Sequence, residues 1–219
     1  MQIALSTLGM KKRQIYETIV STYDSNRKPT AAPMGIMLLG NESFVIRPFK
    51  TTATYRNLLA ARCGVVNITS SPEMFYRTTL KHEEPRLKMP SRWFERGKSV
   101  EAPRVRSAEA HIEFTVRYQE EDQFRARFTC KVQMIEARRI FPQAYSRARF
   151  ALIECIIHAT RIEPYLSDGR VAEAERLTHL VEYYRDLTNR VAPASKDAQT
   201  VADIMGQIER WKKANAGLR

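Results

Sequence analysis

Cysteine and histidine are scarce in this 219-residue sequence, and neither is spaced for a structural role. The three cysteines, Cys63, Cys130 and Cys155, lie far apart and form no CxxC pair, and the four histidines show no metal-ligand spacing. This pattern argues against a disulfide framework and against a structural metal site. We therefore expect three buried free thiols, as is usual in a reducing compartment.

Long apolar runs are also lacking. Hydrophobic residues make up 43% of the chain, but no run approaches the roughly 20 apolar residues that a membrane span needs. The N-terminal segment carries its lysines after a very short apolar stretch, which is not the layout of a secretion signal. The sequence thus predicts a soluble, cytoplasmic protein that binds no membrane and is long enough to bury a sizeable core.

Acidic residues are fewer than basic ones. The chain has 24 Asp and Glu against 36 Lys and Arg, a formal net charge of +12. Residues 77–106 alone contain nine basic and four acidic residues. Such an excess permits nucleic-acid binding and equally suits an anionic small ligand.

The first two-thirds of the sequence has the composition of a β-rich domain. β-branched and aromatic residues between turn clusters predict strands at 15–23, 30–40, 43–49, 64–69, 109–118 and 123–138. The last of these alternates an apolar face, from Phe124 to Met134, with a polar and basic one. Because a sheet that closes on itself has no exposed edge, we predict a small antiparallel barrel. Residues 83–107 contain three prolines and little periodicity, which predicts a long excursion.

Helical spacing dominates the last third. Apolar residues recur at helical intervals in 145–162, in 171–191 and after Ser195, which can cap a third helix. Two short helices are predicted earlier, one from Thr51 or Thr52 to Gly64 and one opening at Ser71. We therefore expect an α+β protein, with a barrel domain at residues 1–141 and a helical subdomain at 142–219.

The segment PFKTTATYRNL, residues 48–58, concentrates hydrogen-bond donors at the start of a predicted helix. A helix N-terminus has unpaired N–H groups and a partial positive charge, and together these bind phosphate. Hydroxyl and cationic side chains add to them: Arg47, Lys50, Thr51, Thr52, Thr54 and Arg56. The alternative is a well-capped surface helix with ordinary basic residues.

Small residues, a proline and a glycine interrupt the predicted strand TAAPMGI at 30–36. Such residues mark an edge, a bulge or the close approach of a ligand. A flat ring system lying against Ala32, Pro33, Met34 and Gly35 would account for all four. A bulged edge strand without a ligand accounts for them as well.

Asn67 interrupts the apolar strand VVNIT. A buried amide costs free energy unless it is hydrogen-bonded, so Asn67 binds either the polar edge of a ligand or a neighbouring main chain. Tyr55 and Asn57 raise the same question on the short helix.

Taken together, these stretches resemble the FMN-binding split-barrel flavoproteins, the superfamily that includes flavin reductases and pyridoxamine phosphate oxidases. Within it the sequence is most similar to a family of uncharacterised archaeal and bacterial proteins built on APMG, RPFKxTxTYRNL and VVNITxxPxxF. Here these motifs occupy residues 32–35, 47–58 and 65–75. The resemblance covers residues 15–140, and the C-terminal helices match only in general character.

The resemblance implies a split antiparallel β-barrel with a C-terminal helical extension, and FMN as the cofactor. It also implies an obligate homodimer with FMN near the subunit interface, and hydride or electron transfer at the flavin ring to a small anionic substrate. Phosphate contacts are expected from the motif around Arg47–Thr54, and ring contacts from the AAPMG strand. The cofactor-binding residues expected in this sequence are Ala32, Pro33, Met34, Gly35, Arg47, Phe49, Lys50, Thr51, Thr52, Thr54, Tyr55, Asn57 and Asn67.

The 83–107 segment carries Trp93 and Phe94 among basic residues. It is interpreted either as a lid over the flavin or as a loop whose two aromatics are anchored in the dimer interface. As a lid it would accept an anionic substrate, such as a nicotinamide dinucleotide or a pterin with an acidic tail. His82 and Glu83 border this region and are expected to be ordinary solvated charges; no residue of the sequence is required as an acid or base.

Two other functions remain open. A nucleic-acid-binding barrel would use the basic face of Arg125, Arg127 and Lys131, but this face lacks the interleaved aromatics that stack on bases. Nucleic acid is therefore the less favoured partner. The other alternative is a module that holds FMN or haem without turnover.

Overall fold

The strands predicted from the sequence close into a barrel. The computed structural model describes residues 4–12, 15–138 and 146–216. The strands are β1 (Ile15–Tyr23), β2 (Pro29–Leu38), β3 (Ser43–Ile46), β4 (Cys63–Ile68), β5 (Phe94–Arg96), β6 (Pro103–Val105), β7 (Ala110–Glu121) and β8 (Ala126–Ala137). Six of them are antiparallel and follow one another around the barrel in the order β1, β2, β3, β8, β7, β4 and back to β1. The predicted α+β fold, a small antiparallel barrel followed by helices, is confirmed.

The barrel interior is filled by alternate residues of its strands. Phe44 and Phe114 are fully buried and meet edge to face, with ring centroids 5.2 Å apart. On β8 the predicted alternation holds at Ala126, Phe128 and Cys130, which are 0% exposed. Phe124, predicted to face inward with them, is 65% exposed because it precedes the first residue of β8. All three cysteines are free and buried, as predicted.

Two short helices lie between the strands, α1 (Ala53–Ala61) and α2 (Pro72–Leu80). The predicted end of α1 at Gly64 is wrong: Arg62 closes the helix in the left-handed conformation, at φ 54°. Gly64 is instead a strand residue of β4, where an added Cβ would lie 2.7 Å from Cζ of Phe114. The glycine therefore makes room for a core aromatic ring rather than ending a helix.

Residues 83–107 are more regular than their composition suggests. Two single turns of 3-10 helix, Pro85–Leu87 and Ser91–Trp93, precede the two-stranded sheet of β5 and β6. A buried ion pair fixes this sheet to the barrel: Arg104 Nε lies 2.5 Å from Glu113 Oε1 on β7, and neither side chain is more than 1% exposed. Phe94 is buried too, so its ring packs inside this chain and does not belong to an open lid.

The chain divides into two compact units, Met1–Ser70 with Leu80–Phe141, and Ser71–Thr79 with Pro142–Arg219. In the second unit α3 (Arg147–Ser167), α4 (Val171–Val191) and α5 (Lys196–Ala216) pack through inward apolar faces. α3 runs past residue 162, where the predicted helical segment ends, and Pro164 lies inside it. Ser195 caps α5 by accepting from the Ala198 N–H at 3.1 Å. The predicted start of a helix at 145 and the predicted boundary between 141 and 142 lie outside the described residues.

None of the helices in the described part of the chain is both long and apolar enough to cross a lipid bilayer.

Candidate functional site

The N-terminus of α1 keeps two main-chain donors open. Thr52 caps the helix: its Oγ1 accepts from the Tyr55 N–H at 3.3 Å and donates to the Phe49 carbonyl at 2.7 Å. Within the described part of the chain, the N–H groups of Ala53 and Thr54 have no protein acceptor. They lie at the positive end of the helix dipole, where an anion binds. The Thr52 hydroxyl, expected to face a phosphate, is already used by the cap.

Arg47 and Lys50 lie just before this helix start. Each is held by an acid, Asp122 of the turn between β7 and β8 and Glu121 at the end of β7 respectively. Arg47 Nη2 is 3.1 Å from Asp122 Oδ2, and Lys50 Nζ is 3.3 Å from Glu121 Oε2. Arg47 and Asp122 are each more than half exposed, and exposed pairs of this kind contribute only about 0–1 kcal/mol. A phosphate dianion can therefore take the place of these acids at little cost.

Other predicted phosphate ligands surround the same helix turn. Arg56 donates to the Thr51 carbonyl at 2.8 Å. Thr51 is exposed and Thr54 buried, and the hydroxyl of neither has a hydrogen-bond partner among the described residues. Phe49 is 46% exposed beneath the guanidinium of Arg125, which lies 3.8 Å from the ring centroid. The start of α1 thus collects two hydroxyls and two N–H groups. It also has three cationic side chains, those of Arg47, Lys50 and Arg56.

Tyr55 and Asn57 are bound within the protein. The Tyr55 hydroxyl donates to Glu121 Oε1 at 2.8 Å, and this bond is the main cause of the lowered pKa of Glu121. Asn57 is 8% exposed, and its Nδ2 donates to Thr22 Oγ1 at 2.9 Å. Both residues tie α1 to the barrel. The Asn57 bond uses one of the two N–H groups of its amide, so its role as a ligand stays a prediction.

Strand β2 has an open edge at the predicted ring position. It pairs with β1 at residues 29–37 but with β3 only at residues 36–38. Among the described residues, Ala32, Pro33, Met34 and Gly35 therefore have a single strand neighbour, and all four are half-buried. Backbone N–H groups alternate between the two sides of a strand. The nitrogen of Pro33, which carries no hydrogen, therefore faces the open side of β2, where a proline is tolerated.

The bulge considered for this strand does not form, since the register of β1 and β2 runs without a shift from Ile15 to Tyr23. Gly35 has a structural reason to be small. A Cβ there would lie 3.1 Å from Ile15 Cγ2 and 3.4 Å from Glu17 Oε1 of the neighbouring strand. The contact with β1 therefore explains the glycine at position 35 without a ligand.

Asn67 serves the second of its two proposed roles. It is 1% exposed, and its Nδ2 donates to the carbonyl of Ile19 at 2.9 Å and to Ser21 Oγ at 2.8 Å. Its Oδ1 accepts from the Val105 N–H at 2.8 Å. The amide is thus satisfied within the protein and holds β6 against the barrel, so the prediction that it contacts a cofactor is corrected.

The open edge of β2 and the start of α1 belong to one continuous surface. Ile46, the last residue of β3, pairs with Ile36 of β2. Arg47 follows Ile46 directly, and Gly35 precedes Ile36 directly. From Arg47 the chain runs on to the cap of α1 at Thr52. The last paired residues of β2 and β3 therefore bring the two predicted motifs to the same end of this ladder.

Lys81 also lies at this edge, although sequence reasoning did not select it. Its Nζ donates to the Ala31 carbonyl at 2.5 Å and lies 3.3 Å from Thr30 Oγ1. Burial and, to a smaller extent, the charge of Lys88 lower the pKa of Lys81 to about 8. Only its membership of the basic 77–106 segment signalled it in the sequence, because 50 residues separate it from its acceptor.

Comparison with solved structures shows the same fold in an FMN-bound protein of the DUF447 family from Methanosarcina mazei. The two share 22% sequence identity at a TM-score of 0.75, over 93% of this chain and 99% of that one. A 2-nitrobenzoate 2-nitroreductase from Pseudomonas fluorescens is 17% identical, at a TM-score of 0.46, over 63% of this chain and 77% of its own. Flavoredoxin of Desulfovibrio vulgaris is 20% identical with the same coverage and TM-score.

The family comparison agrees with the resemblance seen in the motifs. Residues 16–139, more than half of the chain, match the model described as "Protein of unknown function (DUF447) N-terminal domain". This segment holds the whole barrel from β1 to β8 except Ile15, the first residue of β1. The chain belongs to the DUF447 family.

Proposed function

We propose that this protein binds FMN, with the phosphate at the start of α1 and the ring against the open edge of β2. Two observations carry the proposal. Among the described residues the N–H groups of Ala53 and Thr54 have no acceptor, and residues 32–35 of β2, which precede the ladder to β3, pair with no second strand. The structural relative from Methanosarcina mazei, described as FMN-bound, supports it.

The residues present fit the phosphate. The N–H groups of Ala53 and Thr54 donate from the helix end, the Thr51 and Thr54 hydroxyls add two donors, and Arg47 and Lys50 supply positive charge. Hydrogen bonds to a charged acceptor are about twice as strong as neutral ones. Within the described chain no buried carboxylate opposes the dianion, because Glu121 and Asp122 lie at the surface.

The ring would lie on Ala32–Gly35, where small and half-buried residues leave the backbone accessible. Bound FMN supplies hydride or electron transfer at the ring, and the protein supplies orientation and charge. We propose an oxidoreductase that acts on a small anionic substrate or a nicotinamide dinucleotide. Support for an anion comes from the positive charges of Lys81 and Lys88. Burial first, and then the charge of Lys88, lowers the pKa of Lys81; burial first, and then the charges of Lys81 and Lys88, lowers the pKa of His82.

We further propose a cytoplasmic homodimer. Phe49 and Phe124 are 46% and 65% exposed and are adjacent, because Lys50 N–H donates to the Phe124 carbonyl at 3.0 Å. Large apolar side chains exposed together favour association, and a second copy covering them would also shield the phosphate-binding residues. The three buried free thiols fit a reducing compartment. The mass of the protein in solution, measured by light scattering, would contradict the dimer if it matched one chain.

The first experiment is to denature the purified protein and identify the released small molecule by mass spectrometry, alongside the visible spectrum of the intact protein. A protein that is colourless and takes up no added FMN would refute the proposal. The Arg47→Ala/Lys50→Ala variant is expected to bind FMN at least tenfold more weakly, since charged hydrogen bonds contribute ~1.5–3 kcal/mol each. Lys131→Ala, an exposed lysine of β8, is the matched control.

Turnover is tested separately. Reduced nicotinamide dinucleotides are added anaerobically to the FMN-loaded protein, and the loss of oxidised-flavin absorbance is followed. Reduction within seconds supports an oxidoreductase, whereas FMN that stays oxidised with every donor tried, but is reduced by light, supports a module that only holds the cofactor.

A further inference from the structure

Lys81 is the first residue after α2, and its side chain reaches the edge of β2 beside the proposed ring position. Nζ donates to the Ala31 carbonyl at 2.5 Å and lies 3.3 Å from Thr30 Oγ1. Successive strand residues are about 3.3 Å apart, so the ammonium lies one residue from Ala32. The ammonium of Lys81 therefore lies next to Ala32, the first residue of the segment proposed to bind the ring.

The positive charge of Lys81 has neutral hydrogen-bond partners. Among the described residues no carboxylate lies within ion-pair distance of Lys81, and both of its acceptors are neutral. After burial, the charge of Lys88 is the second cause that lowers the pKa of Lys81. Burying a charge without a counter-ion costs free energy. An anion placed against this ammonium therefore gains an interaction that the free protein lacks, and one of the three N–H groups remains to bind it.

We propose, on the basis of the proposed FMN function, that Lys81 offsets the negative charge that the flavin ring acquires on two-electron reduction. Hydride transfer from a reduced nicotinamide dinucleotide breaks a C–H bond of the donor and forms an N–H bond on the ring. The donor is oxidised and loses one negative charge, and the ring is reduced and gains it. Because the ammonium attracts the anionic ring more than the neutral one, Lys81 makes the bound flavin easier to reduce.

The competing interpretation gives Lys81 a structural role only, in which its bonds to Ala31 and Thr30 hold the chain after α2 against the barrel. The two interpretations differ in which property depends on Lys81, the stability of the FMN-free protein or the relative affinity for oxidised and reduced FMN. A structural lysine stabilises the protein without FMN and leaves the relative affinities for oxidised and reduced FMN unchanged. A charge-compensating lysine changes that ratio and stabilises the FMN-free protein little or not at all.

The test is a spectroelectrochemical titration of the FMN-loaded protein and of Lys81→Met, Lys81→Arg and Lys88→Met. Lys81→Met should weaken binding of reduced FMN about tenfold relative to oxidised FMN, which lowers the midpoint potential of a two-electron couple by about 30 mV. Lys81→Arg should keep the wild-type potential because it keeps the charge. Lys88→Met, the matched control, should shift the potential less than Lys81→Met does.

Unfolding of the FMN-free proteins completes the test. Lys81→Met should be at least as stable as the wild type. An unchanged midpoint potential in Lys81→Met, or an equal loss of affinity for oxidised and reduced FMN, would overturn the role of Lys81 while leaving FMN binding intact. A wild type that binds no FMN would overturn the proposed function, and the role of Lys81 with it.

Discussion

Replacing Ala53 with proline removes one phosphate donor from α1 without removing any side chain that binds FMN. Ala53 is the first helical residue, a position where proline is favoured. Thr52 before it is extended, at φ −83° and ψ 154°, as a residue preceding proline must be. The Ala53 N–H has no acceptor in the described chain, so the substitution breaks no hydrogen bond of the protein.

The expected effect follows from the bond that the N–H would make to the dianion. A hydrogen bond to a charged group contributes ~1.5–3 kcal/mol, and ~1.4 kcal/mol is a factor of ten in affinity. Ala53→Pro should therefore weaken FMN binding roughly 10- to 150-fold. Riboflavin has the same ring but no phosphate, and its affinity should not change. The free energy of unfolding should stay the same or rise by about 0.4–1 kcal/mol, because proline restricts the unfolded chain.

Calorimetric titration of both flavins into the FMN-free proteins measures this difference directly. Ala53→Ser is the matched control, since it changes the side chain and retains the N–H. Two results would contradict the assignment of the phosphate to α1. One is an Ala53→Pro variant that binds FMN as tightly as the wild type, and the other is a folded variant that loses FMN and riboflavin to the same extent.

Two further predictions concern buried charge. Glu113→Gln should destabilise the protein by ~3–5 kcal/mol in denaturant titrations, because it leaves the Arg104 guanidinium buried without its full counter-ion; a loss under about 1 kcal/mol would contradict the pairing. The pKa of Lys81 is lowered from 10.5 to about 8, so at ~1.4 kcal/mol per pH unit its charge costs about 3 kcal/mol of folding free energy. This cost is present below pH 8 and disappears as the pH rises towards 10.5. The free energy of unfolding of the wild type minus that of Lys81→Met should therefore rise between pH 8 and 10.5. A difference that does not change with pH would show that burial does not lower the pKa of Lys81.

The strands and the start of α1 were predictable because their signals are local. The alternation of Phe128 and Cys130 with polar residues specifies which face of β8 is buried. A threonine before an apolar helix face specifies the cap. The corrections concern residues whose surroundings come from distant parts of the chain: Gly64 is small because of Phe114, and Asn67 is satisfied by Val105.

The sequence alone determined the class of fold, the strand set, the capped helix and the kinds of donor collected before Tyr55, since each depends on residues within a few positions of one another. Only the tertiary structure decided which donors remain open. Hydrogen bonds within the protein use the Thr52 hydroxyl and the Asn67 amide, whereas the N–H groups of Ala53 and Thr54 have no acceptor in the part of the chain that the structure describes. The tertiary structure also brought Lys81 to the edge of β2. Hydrogen bonds between distant segments are set by how the barrel closes, and no local pattern of residues records that.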